Sequence, residues 1–184
     1  MNSFTDRPGV GNLGRMSDTV VIRPALPDEL EACRAIYERE VREGTASFEI
    51  EPPDLEEIRR RHAAVLGIGS VWLVAELPDG IGGYAYAGAY RPRPAYRHTL
   101  ENSVYVARWA RRRGLGQLLL ERLILETASC GFREMVAIIG DSDNRASIEL
   151  HRLCGFRYVG TLEKVGHKFG RWLDTVLMQR TLAG

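Results

Sequence analysis

The sequence predicts an α/β (α+β) domain, a mixed sheet with helices on both faces. Two observations carry this. The first half is rich in strands and holds a hairpin, and the second half alternates β-α-β-α-β. Two strand-to-helix junctions, one at Gly114 and one at Asn144, fix the later crossovers.

The first strand is expected over residues 20–23, a β-branched run closed by Arg23. Pro27-Asp28 opens a helix to about residue 42, and Pro53-Asp54 opens another to about residue 66. Residues 71–77 and 82–90 form a hairpin around Pro78-Asp79-Gly80, whose residues favour a turn. A strand over residues 100–106 follows, and then a helix over residues 115–130 with leucines at 115, 118, 119, 120 and 123. Residues 135–139 read as a short apolar strand. Asn144 is a good N-cap for the next helix, with Ile148, Leu150 and Leu153 on its apolar face and Gly155 at its end. Strands over residues 156–163 and 172–180 complete the domain.

At 184 residues the chain reads as one domain, residues 19–184, preceded by a Gly- and polar-rich leader, residues 1–18. The leader lacks the apolar stretch of a secretory signal and is expected to be disordered; Met16 is an alternative start. A net charge of +1 argues against bulk binding to nucleic acid. No apolar run is long enough for a membrane span. The three cysteines, Cys33, Cys130 and Cys154, have no metal-ligand spacing and read as reduced residues of a cytoplasmic protein, so no metal is expected.

The most informative string is Arg111-Arg112-Arg113-Gly114-Leu115-Gly116, between a strand and a helix. Free N–H groups at a helix start, the helix dipole, flexible glycines and three guanidinium groups together suit a phosphorylated ligand. The string is not a nucleoside triphosphate loop, because no Gly-x-x-x-x-Gly-Lys-Ser/Thr occurs. Nor is it a dinucleotide fingerprint, since Leu119 stands where the third glycine belongs.

Arg111-x-x-Gly114-x-Gly116 resembles the pyrophosphate motif of the GNAT superfamily of N-acetyltransferases, and the segment from Asn144 through Leu150 and His151 to Gly155-Phe156 resembles a second motif of that family. Tyr96 to Val106, Val136 to Ser142 and Gly166 to Asp174 are similar to the phosphinothricin and methionine sulfoximine acetyltransferases, and the similarity runs from about Val21 to Leu182. Two departures stand out. Arg108-Trp109-Ala110 replaces the usual Pro-x-His, and His151 stands where many members have tyrosine.

The resemblance implies a GNAT-like fold with a mixed, mostly antiparallel twisted sheet, acetyl-CoA as cosubstrate and a homodimer. Backbone amides of Arg112, Arg113, Gly114, Leu115, Gly116 and Gln117 are expected to take the pyrophosphate, with the Arg111, Arg112 and Arg113 side chains near the ribose phosphate, and the resemblance implies the pantetheine arm held along the backbone of Val104, Tyr105 and Val106. Asn144 is expected at the arm as well as at the helix cap. Glu101 is the candidate base for the attacking amine, and His151 the candidate acid for the departing thiolate. No cysteine sits in a nucleophile motif, which favours direct attack.

The acceptor is expected to meet Phe48, Glu49, Glu101 and Asn102, with Arg91 and Arg93 as cations for an anionic group. Lys168 and Trp172 either line the same pocket or serve the C-terminal hairpin. These readings point to acetylation of the α-amine of a small amino acid analogue such as phosphinothricin, methionine sulfoximine or methionine sulfone. Acetylation of a protein N-terminus or another small amine is the main alternative, and a non-catalytic acyl-CoA-binding module is a further one.

Overall fold

A computed structural model describes residues 20–182, so the expected leader lies outside the described residues. The strands are β1 (Val21–Pro24), β2 (Trp72–Leu77), β3 (Gly80–Ala89), β4 (Thr99–Val106), β5 (Glu134–Gly140), β6 (Arg157–Lys168) and β7 (Arg171–Thr181). The helices are α1 (Leu30–Glu43), α2 (Leu55–Gly67), α3 (Leu115–Ser129) and α4 (Arg145–Leu153). The seven strands form one sheet in the order β1-β2-β3-β4-β5-β7-β6. Only β4 and β5 run parallel, and α3 makes the crossover that a parallel pair requires.

Strand alternation sorts side chains into two cores, one on each face. Leu73, Ala75 and Leu77 of β2 pack with Leu115, Leu119 and Leu123 of α3. Trp72 and Val74, their neighbours in sequence, pack instead with Leu30 and Val41 of α1 and Ile58 of α2. Helices therefore cover both faces. Each fully buried leucine contributes about 1.5–3 kcal/mol, so the four buried leucines of α3 (115, 119, 120 and 123) hold the turn before that helix firmly against the sheet. None of the described helices is long and apolar enough to cross a membrane.

β4 and β5 pair only from Thr99↔Glu134 to Asn102↔Ala137. Beyond Asn102 they part: β4 stays paired to β3, and β5 to β7. Backbone groups of residues 103–106 that turn away from β3 thus have no strand partner. The sheet is split at its middle.

Two strand ends differ from expectation by more than one residue. β3 begins at Gly80, because the hairpin needs only Pro78 and Asp79 as its turn and Gly80 takes φ +117° as the return strand begins. β6 runs to Lys168, well past residue 163. Its pairing with β7 shifts register between Leu162 and Gly166, with Lys164 at φ +53°, and that irregularity breaks the alternation by which a strand is read.

Candidate active site

At the end of β4, residues 108–110 make a single 3-10 turn and Arg112 and Gly114 both take positive φ, +64° and +77°. Gly114 caps α3 without a side chain, which leaves first-turn amides to an external acceptor. Its need for glycine is conformational, since a Cβ there would meet nothing within 4 Å. Gly116 is glycine for another reason: a Cβ would press on the Leu150 side chain at 3.3 Å, so it sets how closely α3 and α4 approach.

A groove of about 540 Å³ runs from this turn along the split sheet. Val104, Tyr105, Val106, Arg111, Arg112, Gly114, Leu115, Gly116, Gln117 and Asn144 all line it, while Arg113 is exposed outside the lining. Arg111 pairs with Glu40 of α1, another lining residue, and its Nε donates to the Val106 carbonyl at 3.3 Å. Arg108 reaches Glu43 at 2.6 Å, so two ion pairs tie the turn to the end of α1. Asn144 Oδ1 accepts from the Ser147 amide at 3.3 Å, which makes it both helix cap and groove wall.

The groove narrows into a cleft of about 60 Å³ lined by Asn102, Asn144, Ser147 and His151. His151 is 4% exposed and stands edge-on to Phe156. Its Nδ1 lies 2.7 Å from the Ser147 carbonyl, an obligate acceptor, so Nδ1 carries the proton. Nε2 must then accept from Asn102 Nδ2, 2.9 Å away. Burial pushes the imidazole below its usual range, which favours this neutral form. Asn102 is 6% exposed, and its Oδ1 is buried without a hydrogen-bond partner.

Past the cleft, on the α1/α2 face, lies a cavity of about 400 Å³. Glu101, Asn102, Phe48 and Glu49 line it together with Tyr37, Tyr86 and Arg61. Glu101 and Ser103 point here because alternate β4 residues share a face. Burial raises the Glu101 carboxyl above the usual carboxylate range, and the charge of Arg91 partly offsets this. Phe48 sits on a loop wedged between Gly140 and Gly166; a Cβ at Gly166 would fall 2.2 Å from the Phe48 ring. The buried Lys168 ammonium donates to the Ser47 carbonyl at 2.7 Å and pins the same loop. Trp172 is exposed, on the hairpin and outside the cavity lining.

Arg91 and Arg93 are placed elsewhere. They line a separate cavity of about 260 Å³ with Arg97 and Tyr96, and Arg91 lies over the Tyr90 ring at 5.0 Å. The sequence reading passed over Arg61, Tyr37 and Tyr86. Helical spacing held a signal for the first: Arg61 falls one turn after Ile58 and one before Val65, the two buried residues of α2. Its neighbours Arg59 and Arg60 masked it by making the string look like a solvated run.

A phosphate-binding turn joined to unpaired strand backbone suits a carrier with a pyrophosphate and a long amide-bearing arm, which is the chemistry of coenzyme A. The class is therefore a coenzyme A-dependent acyltransferase. The chain matches the acetyltransferase (GNAT) domain over residues 22–177 and belongs to that family. It is 52% identical over 176 residues to a phosphinothricin N-acetyltransferase of Alcaligenes faecalis, with 96% of this chain and 88% of the relative covered. It is 41% identical over 162 residues to an L-methionine sulfoximine/L-methionine sulfone acetyltransferase of Pseudomonas aeruginosa, covering 88% and 94%. A crystal structure of a phosphinothricin acetyltransferase from Sinorhizobium meliloti in complex with acetyl-CoA superposes with a TM-score of 0.86 at 40% identity, covering 90% of this chain and 89% of that one.

Proposed function

We propose that this chain transfers the acetyl group of acetyl-CoA to the α-amine of a small amino acid analogue such as phosphinothricin, methionine sulfoximine or methionine sulfone, by direct attack in a ternary complex. The observation that carries the reading is the orphaned Asn102 Oδ1, a buried acceptor between a carboxyl-lined cavity and the groove. A buried carbonyl oxygen without a partner is costly, and an incoming amine N–H supplies one.

In this reading Glu101 takes the proton that the ammonium must lose before nitrogen can attack. Its raised carboxyl is a better base than an ordinary glutamate. The N–C bond forms as the thioester C–S bond breaks, the electron pair leaves with sulfur, and the second proton lost by the nitrogen passes to the departing thiolate. A backbone N–H of Val104 or Val106, the residues whose amides turn away from β3, faces the carbonyl oxygen, where negative charge grows. His151 acts through Asn102: its Nε2 lone pair holds the amide nitrogen and thereby turns Oδ1 toward the amine. That makes it a positioning residue, with no proton to spare for the thiolate. The arginine turn, with Arg111, Arg112 and Arg113, and the cap residue Asn144 hold the cosubstrate. Cys33 and Cys154 are buried, and burial pushes the Cys33 thiol up to about 12, against a covalent cysteine route.

The same reading makes the protein a cytoplasmic homodimer. Three free cysteines support the compartment. The dimer is supported by β6, an edge strand that with its hairpin exposes Tyr158, Leu162, Val165, Phe169 and Trp172. Light scattering on the purified protein tests it.

The enzymatic test is release of CoA from acetyl-CoA against the three amino acid analogues, an aminoglycoside and a short peptide. Saturable turnover on the analogues alone is expected. Turnover only on the peptide would move the function to protein N-termini.

A further inference from the structure

The acceptor cavity has an uneven set of charges. Its lining includes two carboxylates, Glu49 and Glu101, and one cation, Arg61. Arg61 comes from α2, and its guanidinium carbon lies 5.9 Å from the centre of the Tyr37 ring. Its Nη1 donates to Glu49 Oε1 at 2.8 Å, and its Nε donates to Glu57 Oε1 at 2.7 Å. These two bonds fix the plane of the fork and, among the described residues, engage only Nε and Nη1. Nη2, with two N–H donors, is left for a ligand. The side chain is 28% exposed, as suits a group at the wall of an open cavity.

An α-amino acid presents a cation and an anion on one carbon, and the Glu49–Arg61 pair presents the opposite charges side by side. Arg91 and Arg93, the other cations considered for this task, line a different cavity. We propose that Arg61 is a specificity-determining residue that reads the acceptor's α-carboxylate through the Nη2 edge its two glutamates leave open. This rests on the α-amino acid reading of the acceptor given above. Glu49 serves it twice, by orienting the guanidinium and by facing the ammonium. Glu57, further out on α2, serves only the first purpose.

The test compares methionine sulfone with its α-carboxamide, which keeps the amine and the side chain but loses the negative charge. The wild type is expected to favour the acid in kcat/KM by roughly 10- to 100-fold, the size of one hydrogen bond to a charged group. Arg61→Gln should bring that ratio to within about threefold, through a higher KM for the acid alone, with KM for acetyl-CoA unchanged. Arg61→Met, which keeps the apolar stem over Tyr37, should do the same and serves where the glutamine variant fails to fold. Glu57→Gln should retain the preference. A wild type that does not discriminate overturns the inference and leaves the proposed function standing. Arg61 variants that lower both acceptors alike also overturn it, because the residue would then be structural. A wild type inert toward both acceptors removes the amino acid reading, and the inference with it.

Discussion

Gly140 ends β5 where the acceptor loop crosses it, and adding one methyl group there should move the loop by a calculable amount. A Cβ at Gly140 would stand 2.5 Å from the Thr45 carbonyl oxygen, 2.9 Å from a Phe48 ring carbon and 3.2 Å from the Ala46 carbonyl oxygen. The first and last are backbone atoms and cannot rotate away. β5 is held in register by β7, Gly140 facing Thr175, so the yielding element is the loop over residues 45–49. Restoring ordinary contact, which begins at 3.4 Å, takes a displacement of about 0.9 Å from the 2.5 Å position. A misplacement of about 1 Å at a reacting centre costs on the order of 100-fold in rate, or about 2.7 kcal/mol of transition-state stabilisation. Gly140→Ala should therefore lower kcat/KM for the acceptor by about that factor. KM for acetyl-CoA, and its binding measured by calorimetry, should stay near wild type. Overpacking also costs about 1–3 kcal/mol of stability, so the assay belongs below the variant's melting transition. Gly160→Ala in β6, where a Cβ meets nothing within 4 Å, is the matched control. A folded Gly140→Ala enzyme with wild-type acceptor kinetics would refute the idea that this loop forms the acceptor wall.

Glu101 must be ionised to act as base, so kcat/KM should rise with pH through an acidic limb lying above that of an ordinary glutamate. Arg91→Ala removes the charge that offsets burial and should carry this limb to still higher pH; a limb that stays put excludes any coupling between the two groups. If His151 works only by orienting Asn102, then Asn102→Ala should slow turnover about as much alone as together with His151→Ala. A fully additive pair, or rescue of His151→Ala by a thioester with a more acidic thiol, would return His151 to the role of general acid. The buried imidazole should also make stability fall with acid. Its folded pKa is lowered from 6.5, so the unfolded chain binds more protons below about pH 6.5, and the melting-temperature difference between wild type and His151→Gln should narrow as pH drops from 7 to 5.

Much of the cofactor groove was legible because its requirements are local. A helix start needs a cap, a turn needs positive φ, and Asn144 and Gly114 meet those needs in contiguous stretches of sequence. Val104 to Val106 were legible as part of a strand for a different reason, the strand pattern they follow. The cavity past the cleft is assembled from α1, α2, the loop between them, β3, β4, β5 and β7, and no local rule links Arg61 to Glu101. Arg91 and Arg93 show the converse. Their charge was visible, but the path of residues 91–98 across the surface was not, and it sets them against Tyr96 and Arg97. The length of β6 was hidden by its own irregularity near Lys164.

The parting of β4 and β5 leaves a central strand with one neighbour along residues 103–106. A carrier whose amides bond to that seam stitches the two halves of the sheet together, and it can do so only in the folded chain. Saturation at 100 times Kd would add about 2.7 kcal/mol, which for a domain of this size raises the melting temperature by roughly 5–10 °C. Abundance of the folded protein should thus rise with the supply of acetyl-CoA relative to its Kd.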